Sequence, residues 1–146
     1  MTRIFCIIFS TFLLVSLLPA ETVLEHELFE DIKDNRLDQF SHVEAAFILS
    51  GANNADTLQY YLDWYNDLLH TIEGFNLDRI DRVGSAGKVF SYLHSTLLKK
   101  YKEQATTLLN VVHEKRFNCV AGTILYNLLC EDLGWPTEAF ETPTHT

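Results

Sequence analysis

Apolar residues recur at three- and four-residue spacing along most of the chain, and this spacing predicts a predominantly helical protein. The most regular stretch is predicted to start at a cap, Asp56, and to end at Gly74. Its apolar face comprises Leu58, Tyr61, Leu62, Tyr65, Leu68, Leu69 and Ile72. We interpret its aromatic residues as the core and rim of helix packing rather than as a ligand site.

Shorter helices are predicted on both sides of this stretch. A capping box, Ser41 with Glu44, begins a helix over residues 42–50. A polar connection follows the long helix at residues 76–84. The remaining predicted helices span residues 88–101, 108–113 and 118–133. In residues 21–40, a weaker helical pattern places on one face Leu24, Leu28, Phe29 and Ile32.

The end of the chain has a different pattern. Gly134 and Pro136 end the last predicted helix, and residues 138–142 look like a strand, with Ala139 and Phe140 between polar residues. A single strand would leave its backbone N–H and C=O groups unpaired. We therefore expect a truncated α+β domain, whose present residues are predominantly α-helical with at most one or two short strands near the C-terminus.

The first 20 residues have the features of a secretory signal peptide. Arg3 precedes an apolar run over residues 4–20, which ends in a possible cleavage site. The run is short for a membrane span, and no later apolar stretch is as long, so we predict no membrane span after it. An N-terminal anchor is the alternative. Either way the protein is expected to be exported, as a secreted or periplasmic protein.

The charge excludes two classes of partner. The chain has a net charge of −9, from 11 basic and 20 acidic residues. Removal of residues 1–20 takes away Arg3 and no acidic residue, so the net charge becomes −10. Nucleic acids and anionic lipid surfaces both require clusters of Lys and Arg. We therefore predict no nucleic-acid partner.

Two cysteines, Cys119 and Cys130, lie beyond the signal peptide. On a single helix they are eleven residues apart, which is about 16 Å along its axis. A disulfide requires Cα atoms within about 7 Å of each other. Both are therefore predicted to be free thiols. Cys130 is interpreted as a small buried apolar residue.

Cys119 is the candidate nucleophile, because it is predicted at the first turn of a helix. A helix N-terminus favours the thiolate, which is the reactive form of cysteine. The basic pair Lys115 and Arg116 lies just upstream, and His145, 26 residues downstream, is the candidate base. The alternative is that Cys119 fills space in an apolar helix and that His145 belongs to an unstructured end.

Other motifs give weaker evidence of a functional site. The segment from Gly84 to Lys88 has two residues between its glycines where a phosphate loop needs four. The remaining histidines lack the spacing of a metal site, and we interpret His42, His70 and His94 as ordinary helix positions.

The sequence from Lys88 to His145 resembles the transglutaminase-like superfamily, a branch of the papain-like Cys–His–Asp fold. The stretch Phe117-Asn118-Cys119-Val120-Ala121-Gly122-Thr123 is similar to the family's nucleophile motif, and Phe140-Glu141-Thr142-Pro143-Thr144-His145 to the strand that carries its histidine. The resemblance implies an α+β fold, with residues 21–75 as a helical lead-in and residues 76–146 as the N-terminal part of the domain. It implies Cys119 and His145 as catalytic residues.

The resemblance also implies a reaction. Cys119 would form a thioester with a protein or peptide substrate, and no metal or organic cofactor is implied. The family's third residue, an Asp or Asn, would follow His145, so we expect little or no turnover from this fragment. Two alternatives remain, a non-catalytic transglutaminase-like scaffold of the cell envelope and a helical protein-interaction module.

Overall fold

The computed structural model describes residues 22–78 and 80–138, and most of these residues are helical. The helices are α1 (Val23–Asp31), α2 (His42–Leu49), α3 (Ala55–Glu73), α4 (Arg82–Thr96), α5 (Leu108–Glu114) and α6 (Cys119–Asp132). A 3₁₀ turn, Ile32–Asp34, follows α1. The prediction of a predominantly helical chain is confirmed. The predicted signal peptide lies outside the described residues, as does the predicted strand after its first residue, Glu138.

The core is built where α2 and α3 pack together and α6 crosses them. Phe47 of α2 stacks on Tyr61 of α3 with ring centroids 5.3 Å apart and planes 8° from parallel. Tyr65 is also buried, whereas Tyr60 is exposed, so the division of aromatic residues between core and rim is confirmed. The α6 residues that are fully buried in this cluster are Ala121, Leu125, Leu129 and Cys130.

Helix α4 begins and ends earlier than predicted. Its cap is Asp81, whose carboxylate accepts a hydrogen bond from the Gly84 N–H at 2.9 Å. A Cβ on residue 84 would lie 2.1 Å from the Asp81 carboxylate, so this close cap requires glycine. The glycines that suggested a connection therefore belong to the first turns of a helix. The helix ends at Thr96, so Lys100 and Tyr101 lie outside it, although the sequence predicted them to be its last residues.

Two short strands were not predicted at their positions. Strand β1 (Lys100–Tyr101) pairs in parallel with β2 (Arg116–Phe117), with Lys100 opposite Arg116 and Tyr101 opposite Phe117. They lie before α6, whereas the sequence suggested strands after it. The pairing holds the end of α4 beside the start of α6.

The helix caps agree with the sequence with one exception. The capping box at Ser41 and Glu44 is confirmed, with both reciprocal hydrogen bonds present. The cap of α3 is Asn54 and not Asp56, because the Asn54 side chain accepts the Thr57 N–H at 2.9 Å. Asp56 lies in the first turn of α3, where a negative charge is still favourable.

No helix in the part of the chain that the structure describes has the length and apolar character needed to cross a bilayer.

Asp31 ties the N-terminal helix to the loop that follows. Its buried carboxylate accepts hydrogen bonds from the backbone N–H groups of Asp38, Gln39 and Phe40, at 3.0 to 3.3 Å. We predict that Asp31→Ala lowers the free energy of unfolding by about 1–3 kcal/mol, because these N–H groups lose their acceptor. Urea denaturation measures the change.

The matched control is Glu27→Ala, an exposed acidic residue on the same helix. Its expected effect is within about 0.5 kcal/mol. Equal losses in the two variants would show that the Asp31 hydrogen bonds do not stabilise the fold.

Candidate functional site

Asn118 fixes the start of α6. Its side-chain oxygen accepts the Ala121 N–H at 3.1 Å, and its amide donates to the Glu103 carbonyl at 3.0 Å. Its own backbone N–H donates to the Ala105 carbonyl at 3.0 Å. Asn118 is only 6% exposed. These bonds connect the cap of α6 to the loop before α5, so the first residue of α6 has a defined position.

That first residue is Cys119, as the sequence predicted. Its side chain is exposed, and Cys130 is buried in the same helix. Both are free thiols, which confirms the prediction from their spacing. The N–H groups of Cys119 and Val120 have no acceptor within α6, because they lie in its first turn. The positive end of the helix dipole lies at the same point.

A cavity of about 520 Å³ opens beside Cys119, between α4, β2 and α6. It is lined by Phe90, Leu93, His94, Leu98, Phe117, Asn118, Cys119, Gly122, Thr123, Tyr126, Asn127, Thr137 and Glu138. Gly122 allows the Phe117 ring to lie against α6, since a Cβ there would be 3.3 Å from Cδ2 of that ring. The volume is that of a small-ligand or side-chain pocket.

His94 lines this cavity together with Cys119. Its ring centroid lies 4.3 Å from that of Phe90 and 5.5 Å from that of Phe117. From the sequence, His94 was expected to be an ordinary helix position. The spacing of Phe90 and His94 by four residues indicates that they share a face, but the approach of Phe117 depends on tertiary packing.

His145 lies outside the described residues, so its pairing with Cys119 stays a prediction. Of the two upstream basic residues, Arg116 pairs with Glu114 at 2.6 Å. Lys115 ends α5 with a left-handed backbone, φ 52°. The Glu114 carboxylate therefore offsets the positive charge of Arg116.

Tyr126 closes the inner side of the cavity and stays protonated. Burial raises the pKa of Tyr126 to about 12, and its hydroxyl donates to the Ala86 carbonyl at 3.3 Å. Burial also raises the pKa of the Cys130 thiol, although its hydrogen bond with Tyr126 partly opposes this. Cys130 is therefore a buried, protonated residue, which confirms its structural role.

The site can support nucleophilic chemistry at Cys119. An exposed thiol, N–H donors at a helix start, an imidazole and a cavity for part of a substrate lie in one region. Within residues 22–78 and 80–138, no group of three or more His, Cys, Asp or Glu side chains is arranged to hold a metal ion.

The chain matches no protein-family model, no curated protein and no solved structure.

The two free thiols should differ in reactivity. We predict that iodoacetamide modifies Cys119 at least about a hundred-fold faster than Cys130 in the folded protein, because only Cys119 is exposed. Peptide mass spectrometry after timed labelling measures both rates. In concentrated urea the rates should converge. Comparable rates in the folded protein would contradict the placement of these residues on α6.

Asn118 and Asn54 form a matched pair of cap residues. We predict that Asn54→Ala costs about 1 kcal/mol of unfolding free energy, the usual value of a helix cap. Asn118→Ala should cost about 1–3 kcal/mol, because it also removes the half-buried hydrogen bond from the Asn118 amide to the Glu103 carbonyl.

Asn118→Ala should also change the labelling rate of Cys119, and Asn54→Ala should not. Urea denaturation and iodoacetamide labelling measure the two effects. If the two variants behave alike in both experiments, Asn118 is an ordinary cap and does not position Cys119.

Proposed function

We propose that this protein is an exported, transglutaminase-like cysteine hydrolase or acyltransferase that acts on peptide or amide bonds. The observation that carries the proposal is the exposed Cys119 at the first residue of α6, in the wall of a 520 Å³ cavity. The similarity of residues 117–123 to the family's nucleophile motif adds to it.

The proposed reaction has two steps. The Cys119 sulfur attacks the substrate carbonyl carbon, the N–H groups of the first turn of α6 stabilise the oxyanion, and the amine leaves with a proton. The product is a thioester on Cys119. Water then releases the acid, or a second amine takes the acyl group. We favour water as the acceptor, which makes the protein a protease or amidase.

The cavity suits an apolar side chain of a peptide substrate. Phe90 and Tyr126 meet edge to face, with centroids 6.1 Å apart, and Phe117 meets His94 edge to face, with centroids 5.5 Å apart. Aromatic side chains that line a pocket contribute binding free energy mainly by burying apolar surface of the ligand. Glu138 is the acidic residue among the lining side chains.

A non-catalytic scaffold is the second candidate. It is favoured by three large apolar residues that remain exposed near the cavity, namely Phe90 at 53%, Val120 at 49% and Ile124 at 37%. Such a patch can bind a partner protein without chemistry.

An activated ester separates the two candidates. We predict that p-nitrophenyl acetate transfers its acetyl group to Cys119, because a good leaving group needs little acid catalysis. Intact-mass and peptide mass spectrometry should show one acetyl group on Cys119 that hydroxylamine removes, as expected for a thioester. Cys119→Ala should lose this group, whereas Cys130→Ala should retain it.

One result of the same experiment would overturn the enzyme proposal. Acetylation of Cys119 at the rate seen in the urea-unfolded chain would show that the thiol is not activated. The scaffold candidate would then stand.

A further inference from the structure

His94 lines the same cavity as Cys119, and contacts from α4 and β2 hold its ring there. It lies in the last turn of α4, whose end is tied to the start of α6 by the parallel pairing of β1 and β2. The Lys99 and Lys100 N–H groups both donate to the Lys115 carbonyl, at 3.2 and 3.1 Å. Phe117, two residues before Cys119, packs edge to face on the imidazole. The imidazole thus contacts two aromatic rings, those of Phe90 and Phe117.

The ring nitrogens of His94 differ from those of other histidines. His42 Nδ1 lies 2.8 Å from a Glu131 oxygen, and His113 Nε2 lies 2.8 Å from the Tyr61 hydroxyl. Within residues 22–78 and 80–138, the His94 contacts are its two ring contacts, and no hydrogen bond to its nitrogens is formed.

Those nitrogens are nevertheless not enclosed. Every fully buried side-chain nitrogen or oxygen in the described part of the chain has a hydrogen-bond partner. The unbonded nitrogens of His94 are therefore not fully buried, and His94 is one of the residues that line the Cys119 cavity.

We propose that His94 is the base that accepts the Cys119 proton, an inference that rests on the proposed function. The S–H bond of Cys119 breaks and an N–H bond forms on the His94 imidazole, which leaves a thiolate and an imidazolium. The thiolate attacks the acyl donor, and the imidazolium returns the proton to the departing amine. No electron is transferred and no co-reactant is needed.

The other ionisable groups of the cavity are compatible with this pair. Among the described residues they are Tyr126 and Glu138, and no lysine or arginine from residues 22–78 or 80–138 lines the cavity. The Tyr126 hydroxyl is neutral in the working range of pH, because burial raises its pKa to about 12.

The test is the pH dependence of Cys119 alkylation, measured on the full chain. Iodoacetamide reacts with the thiolate, so the rate at pH about 6 reports the ion pair, and the rate at pH about 10 reports access to the thiol. His94→Gln should lower the rate at the acidic pH by at least about ten-fold and leave the alkaline rate within about two-fold. His94→Phe, which keeps an aromatic ring between Phe90 and Phe117, should give the same result.

His42→Gln and His145→Gln are the matched comparisons. His42 pairs with Glu131 rather than lining the cavity, so its variant should keep the wild-type profile. The inference is overturned if the two His94 variants keep that profile, or if His145→Gln alone loses the reactivity at acidic pH.

The outcomes separate this inference from the proposed function. If Cys119 still forms the hydroxylamine-sensitive acetyl adduct while the His94 variants keep the wild-type profile, the function stands and the base lies elsewhere. If wild-type Cys119 reacts like an unfolded thiol in both experiments, the proposed function fails and the inference fails with it. Thermal unfolding of each variant, followed by circular dichroism, shows that the fold is retained.

Discussion

Helix α6 has to bury one side in the core and leave another side open, and the described structure is arranged around this requirement. Its core side carries Leu125 and Leu129, which are fully buried. Its cavity side carries Cys119, Thr123 and Tyr126, at the spacing of a second helical stripe. Burial of the first stripe fixes the rotation of the helix, and this rotation directs the second stripe into the cavity.

Contacts along α6 hold the helix at several points. Near its C-terminus the Tyr65 hydroxyl donates to Asp132 at 2.6 Å, and burial together with this carboxylate raises the pKa of Tyr65. At its start the Asn118 side chain bonds the Glu103 carbonyl. The helix is therefore fixed at both ends, so the wall of the cavity that α6 forms has a defined position. Rigid support of this kind is what a reactive side chain requires.

The sequence predicted the features that depend on local patterns. The capping box of α2, the apolar face of α3 and the position of Cys119 at the start of α6 all follow from spacing within a few residues. The start of α4 was missed because Gly84 and Gly87 indicate a loop, whereas Gly84 makes room for the Asp81 cap. The two-residue strands have no recognisable pattern, since their pairing joins segments 16 residues apart. The proximity of His94 to Phe117 depends on that pairing.

Cys119 and Cys130 show why residue type alone does not define the site. The two thiols share one helix, yet burial raises the pKa of Cys130 and keeps it as packing, while Cys119 is exposed at the positive end of the dipole. Exposure and a helix terminus make a thiol accessible but supply no group to take its proton. That group has to come from a second element, and α4, whose end is tied to the start of α6 by the pairing of β1 with β2, lines the cavity. The two-stranded sheet of the described residues therefore helps to place the His94 imidazole on the cavity that Cys119 also lines.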